Sequence, residues 1–495
     1  MAGTYLAVDL GASSGRVIAG HLDGGRLVTV ETGRFSNVPV WFPEGGRRTL
    51  RWDVAALWGG IQQGLRAAAR EHGAPVSVGV DSWGVDHGLL DADDALLGNP
   101  VHYRDARTEG AVERFFEVLA AEEHYAATGL QVLPINTVFQ LVAGAGSAQQ
   151  QAARRLLLMP DLVSHWLSGA AVTEVTNAST TGMLDPTTRT WSAPVLDALA
   201  AVTGADVRPL LAPLVEPGQT IGAVRTDVAA DLGLAGARVV AVGSHDTASA
   251  VVSVPMADAA RAAYISSGTW SLVGLELDAP VLSEASRAAN VTNELGVAST
   301  VRYLRNVGGL WLLQESLRTW ADQGRPQDLA GLLAAAADVP ALRTVVDVDD
   351  PVFAPPGDMP ARVADAARES GQPVPEDPAA VTRCLLDSLA LAYRRAIEQV
   401  TSLSGRTVEV VHVVGGGSRN ALLCRLTADA TGLPVVAGPA EGTAIGNLLV
   451  QAWAAGEVSG GLPELRAIVA ASEEPVRYEP SGDEQAWVRA AERLR

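Results

Sequence analysis

The chain has 495 residues, 48% hydrophobic and 19% charged, a length and composition that predict a globular protein with two cores. Its 37 Lys and Arg against 56 Asp and Glu give a net charge of −19, which argues against nucleic acid or an anionic membrane as a bulk partner, so any phosphate must be held by local groups. Two cysteines, Cys384 and Cys424, make no disulfide framework or metal-ligand pattern, and no run approaches the ~18 apolar residues needed to span a bilayer; no signal peptide and a reducing, cytoplasmic setting are expected.

Residues 5–10, 17–22 and 26–35 predict three strands, with Asp23-Gly24-Gly25 as a hairpin turn. The first connection, Asp9-Leu10-Gly11-Ala12-Ser13-Ser14-Gly15-Arg16, is made of small residues, hydroxyls and an arginine. Backbone N–H groups can approach a phosphate there while Asp9 holds a hydrated Mg²⁺. It is not a P-loop, because a strand follows and the Gly-Lys-Ser/Thr ending is missing. Asp53 caps a helix over 54–70, in which Leu57, Ile61 and Leu65 recur at helical spacing.

A strand over 77–81 leads to Trp83-Gly84-Val85-Asp86, where an indole beside a glycine is either the wall of a small-polyol pocket or a core Trp with a turn glycine. Residues 99–108 line a cleft or pin a loop through Arg/Asp pairs. Residues 156–166 predict a buried helix and 174–184 a polar loop.

The strand 238–242 then delivers Gly243-Ser244-His245-Asp246-Thr247-Ala248. A carboxylate just past a glycine at a strand-to-helix junction is held rigidly with its head open, so Asp246 is the candidate catalytic base; the alternative is a helix cap. Ser244, His245 and Asp246 are adjacent and cannot converge as a hydrolase triad.

Strand 262–267, turn Gly268-Thr269 and strand 270–277 repeat the style of the opening strand pair, suggesting a duplication that holds a nucleotide's phosphates between its halves. A helix over 306–320 carries Gln314 near its apolar side, and Asp377-Pro378 starts a long helix reaching 400. The valine-rich strand 408–414 ends in Gly415-Gly416-Gly417 and opens a helix over 421–430; bare backbone there lets a flat base or ribose lie close. Residues beyond 459 predict a terminal helical addition.

In this order, Asp9-x-Gly11, Trp83-Gly84-Val85-Asp86, Gly243-Ser244-His245-Asp246-Thr247, Ser267-Gly268-Thr269-Trp270 and Gly415-Gly416-Gly417 resemble the FGGY carbohydrate kinases of the actin-like ATPase superfamily, over residues 5–455. Segments 99–107, 177–181, 310–315 and 356–362 are similar to the subgroup that phosphorylates L-rhamnulose. The resemblance implies an α/β fold of two duplicated actin-like, ribonuclease-H-like domains with ATP and sugar in a cleft between them. Residues 1–246 would form the sugar side and 247–495 the nucleotide side.

Carried over by position, the resemblance implies ATP contacts at Ala12, Ser13, Ser14, Gly15, Arg16, Thr269, Gln314 and Gly416. It implies sugar contacts at Gly84, His245, Asp246, Thr247 and Asn306, with Asp246 as proton acceptor and L-rhamnulose 1-phosphate, an intermediate of L-rhamnose breakdown, as product. L-Fuculose or another ketose, and a non-metabolic ATPase of the same superfamily, are the alternatives. Asp161 stands where many relatives carry Lys, and the stretch 356–362 is shorter than in xylulose and glycerol kinases; both argue against those substrates. His87 stands where Phe is expected, which bears on fine sugar preference.

Overall fold

A computed structural model describes residues 3–494. Its contacts divide the chain into two units: the first runs to Pro255 and adds Glu276–Tyr303 and Gly442–Ser472, and the second takes Met256–Leu275, Leu304–Glu441 and the chain from Glu473 onward.

In the first unit, β1 (Tyr5–Leu10), β2 (Ser14–Asp23), β3 (Arg26–Ser36), β4 (Ser77–Ser82), β5 (Thr220–Ala223) and β6 (Arg238–Val240) form one sheet in the order β5-β6-β4-β1-β2-β3. β1 is buried along its whole length, which explains its unbroken apolar pattern apart from Asp9. Alternation sends Leu6, Val8 and Leu10 to one core with Leu57, Ile61 and Leu65 of α1 (Val54–His72). Tyr5 and Ala7 go to the other, against Ile445, Leu448 and Leu449 of the Gly442–Ala454 helix. That helix also packs on α2 (Asp246–Val252), the short helix that follows β6.

In the second unit, β7 (Ala262–Ser267), β8 (Ser271–Leu277, of which 276–277 belong to the first unit), β9 (Val301–Val307, of which 301–303 belong to the first unit), β10 (Val410–Val414), β11 (Val435–Ala437) and β12 (Val476–Tyr478) follow the order β9-β8-β7-β10-β11-β12. β1 has antiparallel β2 on one side and parallel β4 on the other; β7 likewise has antiparallel β8 and parallel β10. The repeat in the sequence is thus a repeat of sheet topology. Among the described residues no helix is long and apolar enough to cross a membrane.

Five sequence expectations are corrected. Residues 156–166 are not one helix: Arg155–Leu158 is a strand paired with His87–Leu90, and the helix is Met159–Ser168, with Pro160 in its first turn. Three consecutive leucines fit a buried strand as well as a buried helix. Residues 174–184 are not a polar loop throughout: Val175–Ala178 is a short helix, and the whole stretch is buried with its side chains bonded to one another and nearby backbone.

The helix expected from 306 starts at Trp311, because β9 runs to Val307 and Gly308-Gly309 turn the chain. Ser14, Gly15 and Arg16 belong to β2, with Arg16 opposite Asp9 and Gly15 opposite Leu10, so the turn itself is only Gly11 to Ser13. The terminal addition includes a strand, β12, as well as helices.

A Cβ on Gly446 would sit 1.8 Å from the Ser249 carbonyl oxygen, so α2 and the Gly442–Ala454 helix meet backbone to backbone. Gly446→Ala is expected to cost about 1–3 kcal/mol or more of stability, read as a lowered urea midpoint with an unchanged m value.

Candidate functional site

The ends of β1, β4 and β6 lie side by side in parallel register, and each delivers an aspartate. Asp9 is opposite Asp81 across the β1–β4 ladder, and Ser82 bridges to His245 in the residues that follow β6. Ser82 N–H donates to the Ser244 carbonyl at 2.9 Å, fixing the approach to Asp246. The Asp81 carboxyl is raised well above its ordinary value, first by burial and then by the charges of Asp9 and Asp246, with the Asn447 amide opposing. Asn447 donates to Asp81 Oδ2 at 2.6 Å, whereas Oδ1 has no hydrogen-bond partner.

Asp246 is the first residue of α2, with His245 in the cap position and making no side-chain cap bond. Its Oδ1 accepts from Thr247 N at 2.6 Å and Thr247 Oγ1 at 3.2 Å, and its side chain is 31% exposed. One oxygen is therefore anchored while the head as a whole stays reachable.

The junction owes its rigidity to the buried segment that follows residue 172. The Glu174 carboxylate accepts from Ser244 N at 2.9 Å, Ser244 Oγ at 2.7 Å and Thr176 N at 2.9 Å. His245 N donates to Thr176 Oγ1 at 3.2 Å, and Asn177 Nδ2 reaches the carbonyls of Trp83 and Ser244. Thr180 Oγ1 accepts from Val85 N at 3.1 Å and would lie 2.9 Å from a Cβ on Gly84, which is why a glycine stands there. Sequence reasoning missed Glu174; a lone Glu in a run of Thr, Asn and Ser carries no sign that it will be buried.

Trp83 is a buried residue bonded to a carboxylate. Asp86 Oδ2 accepts from Trp52 Nε1 at 2.6 Å, Trp83 Nε1 at 3.1 Å and Tyr103 N at 3.2 Å, and Gln140 Nε2 donates to Oδ1 at 2.9 Å. Trp52 lies between the Trp83 and His102 rings, 4.1 Å from each centroid. Burial pushes the Asp86 carboxyl up to about 6 against these donors, and pushes His87 and His102 down to about 3. In segment 99–108, Asp105 accepts from Leu50 N and Arg107 N, so that loop is pinned by hydrogen bonds to its backbone.

At the Gly11–Ser13 turn, Asn37 is the clamp: its side chain donates to the Gly11 carbonyl at 2.8 Å and its N–H to that of Ser13 at 3.1 Å. Ser13 is exposed, with Ala12 and Ser14 half-buried. Gly15 is covered by Phe35, whose ring would be 2.2 Å from a Cβ. Arg16 Nη2 lies 2.7 Å from Asp9 Oδ2.

Asp9 and Asp81 suit a hard divalent cation, since both offer carboxylate oxygen and one Asp81 oxygen is buried without a partner. Among the described residues no three His, Cys, Asp or Glu side chains form a ligand set by themselves, so Mg²⁺ there would keep most of its waters.

The second unit gathers the other expected residues. Thr269 Oγ1 donates to Gln314 Oε1 at 3.2 Å, and the Gly268 and Thr269 carbonyls accept from Leu310 N and Trp311 N, each at 3.0 Å, tying the turn to the helix Trp311–Asp322. Gly417 presses on Ser267, at the end of the neighbouring parallel strand β7, whereas a Cβ on Gly416 would meet nothing within 4 Å. Asn306 lies half-buried on β9 in this unit.

Family models described as the N- and C-terminal domains of the FGGY family of carbohydrate kinases match residues 4–253 and 263–455. A rhamnulokinase of Bacteroides thetaiotaomicron is 41% identical over 485 residues, covering 98% of this chain and 97% of that protein. One of Enterococcus faecalis is 41% identical over 473 residues, covering 95% and 92%. Among solved structures, a gluconate kinase from Lactobacillus acidophilus aligns with a TM-score of 0.78 at 16% identity, covering 100% of this chain and 96% of that one. A Plasmodium falciparum glycerol kinase with ADP aligns at 0.76 and 13% identity, covering 99% and 96%. The fold is the two-domain, actin-like and ribonuclease-H-like one.

Since the Asp86 value of about 6 in the fold exceeds its ordinary 3.8, the folded chain binds this proton more tightly than the unfolded one. Its stability contribution is present in full below about pH 4 and is lost as pH rises through about 6. All four neighbours are donors, so protonation disturbs the indole contacts. Tryptophan fluorescence is expected to change with a midpoint near pH 6 and to lose that step in Asp86→Asn; a flat parent titration would contradict it.

Proposed function

Because the chain belongs to the FGGY family of carbohydrate kinases, we propose that it transfers the γ-phosphoryl group of ATP to O1 of L-rhamnulose, with Asp246 as proton acceptor. The observation that carries the chemistry is the Asp246 carboxylate, anchored through Oδ1 by Thr247 and accessible at its head. The rhamnulokinase relatives, alike over nearly their whole length, favour this ketose.

Phosphoryl transfer needs alignment and charge neutralisation more than covalent help from the protein. Asp246 orients the O1 hydroxyl and takes its proton late, as the bond from O1 to phosphorus forms and the bridging bond to ADP breaks, because a carboxylate is too weak a base to remove it early. Gly84 offers bare backbone to the sugar, with His245, Thr247 and Asn306 as its polar contacts. Ala12 to Arg16 take the phosphates, and Thr269, Gln314 and Gly416 the rest of the nucleotide. Asp9, with Asp81 beside it, would hold the hydrated Mg²⁺, which when bound neutralises charge on the β- and γ-oxygens. An ATP-dependent reaction of this kind belongs in the cytoplasm.

The test is ADP release measured with L-rhamnulose, L-fuculose, L-xylulose, D-xylulose and glycerol. L-Rhamnulose should give the highest kcat/KM; stimulation by glycerol alone would overturn the assignment, and a sugar-independent rate equal to the stimulated one would favour a non-metabolic ATPase. Asp246→Asn, with an unchanged circular dichroism spectrum, is expected to lower kcat roughly 10²- to 10⁴-fold.

A further inference from the structure

One ion pair in the first unit has no part in the chemistry just described. Arg302, at the start of β9, is wholly buried, and its Nη1 lies 3.0 Å from Glu294 Oε2, itself nearly inaccessible. Arg302 Nε donates to the Leu295 carbonyl at 3.0 Å, which fixes the plane of the guanidinium. Its Nη2 lies 3.1 Å from His245 Nδ1, and Glu294 Oε2 lies 3.1 Å from the same nitrogen. The opposite ring nitrogen, Nε2, is 3.5 Å from Asp246 Oδ1. Burial works to raise the Glu294 carboxyl, but Arg302 and His245 together outweigh it and hold the group below its ordinary value.

A pair of buried charges is seldom worth more to stability than apolar residues of the same volume, so a pair set against an active-site imidazole invites another account. A guanidinium has donors and no lone pair. Of the two groups equally near Nδ1, only Arg302 Nη2 meets it in hydrogen-bond geometry, whereas Glu294 Oε2 has no hydrogen-bond partner, so the geometry points to a lone pair on Nδ1 and a proton on Nε2. Glu294 compensates the Arg302 charge, so Arg302 can sit dry beside the imidazole. At 3.5 Å the Nε2–H is too far from Asp246 Oδ1 for a good hydrogen bond and stays available to another acceptor.

We propose that Arg302, held and neutralised by Glu294, is a positioning residue that locks His245 as the Nε2–H tautomer, so that it donates to a ketose oxygen beside the hydroxyl that Asp246 deprotonates. The proposal rests on the sugar-kinase reading for the identity of that acceptor. It has a second consequence: with Nδ1 occupied, His245 cannot take the alcohol's proton without opposing the guanidinium, which leaves Asp246 as the sole acceptor.

The experiment compares the parent with Arg302→Met/Glu294→Leu, which removes both charges together and strands neither, and with Arg302→Lys, which keeps a cation that only donates. The readouts are the unfolding midpoint, kcat and KM for ketose and ATP, and ¹⁵N spectra of the histidine rings, with the His245 signals assigned by their loss in His245→Gln. The parent should show His245 as a single Nε2–H tautomer. The double variant should show a tautomer mixture, a kcat lower by roughly 10- to 100-fold, a raised ketose KM and an unchanged ATP KM; Arg302→Lys should recover most of the loss. An Nδ1–H tautomer in the parent, or a tautomer mixture with parental kinetics in the double variant, would overturn the proposal. Should the double variant not fold, the parent spectrum and Arg302→Lys decide. If no ketose stimulates the parent while its Nε2–H signal is present, the sugar assignment falls and the tautomer lock stands.

Discussion

Everything at the Asp246 end of the first unit follows from parallel strand register. Pairing β1 with β4 residue for residue puts Asp9 opposite Asp81, and the bridge from Ser82 to His245 brings Asp246 to the same end of the sheet. Like charges collected in this way oppose ionisation, and burial adds to the opposition at Asp81. The protein answers part of this with the Arg16 guanidinium on Asp9 and the Asn447 amide on Asp81, and leaves one Asp81 oxygen without a partner. Such an arrangement is costly by itself, and the cation with its water shell proposed above would relieve it. Function is therefore built into the register, and the sheet cannot slip by one residue without turning Asp9 and Asp81 to its other face.

The second support is a buried polar strut. Residues 173–181 would be expensive to bury with unsatisfied groups, yet Glu174, Thr176, Asn177 and Thr180 spend their hydrogen bonds on Ser244, His245, Trp83 and Val85. The strut thereby joins the two stretches, after β4 and after β6, that carry the proposed sugar contacts of this unit. Asp86 acts alike on the neighbouring wall, where one carboxylate fixes two indoles and the backbone of Tyr103. Both devices use a buried acid as a hub for donors, so the rigidity of the pocket is electrostatic as much as steric.

What could be read in the sequence and what could not divide along physical lines. The duplicated strand pairs, the helix after Asp53 and the glycine-rich turn after β10 announce themselves through local chemistry: alternation, caps and residues without side chains. The Leu156–Leu158 stretch was ambiguous because continuous hydrophobicity has no period, and only pairing with His87–Leu90 makes it a strand. The start of the Trp311–Asp322 helix was set by a turn at Gly308-Gly309, where Gly308 N–H is taken by Asp349, a residue far along the chain. Glu174, Asn37 and the Arg302–Glu294 pair were invisible for the same reason: each matters through partners distant in sequence, and a single charged or amide residue carries no local mark of burial.

The division of labour within the site explains why a fold shared by kinases of different sugars does not choose the sugar. In the proposed reading, strand ends supply what every phosphoryl transfer needs, a proton acceptor and a place for cation and phosphates. The proposed sugar contacts of the first unit lie beside them: Gly84, kept small by Thr180, and His245, faced by Arg302 and Glu294. Changing the sheet would cost both fold and chemistry, whereas on this reading changing the wall would alter only which hydroxyl arrives at Asp246. In the proposed reading, discrimination between ketoses depends on where donors such as the His245 ring point, and direction is what a buried guanidinium, held by the Leu295 carbonyl, can enforce and a solvated side chain cannot.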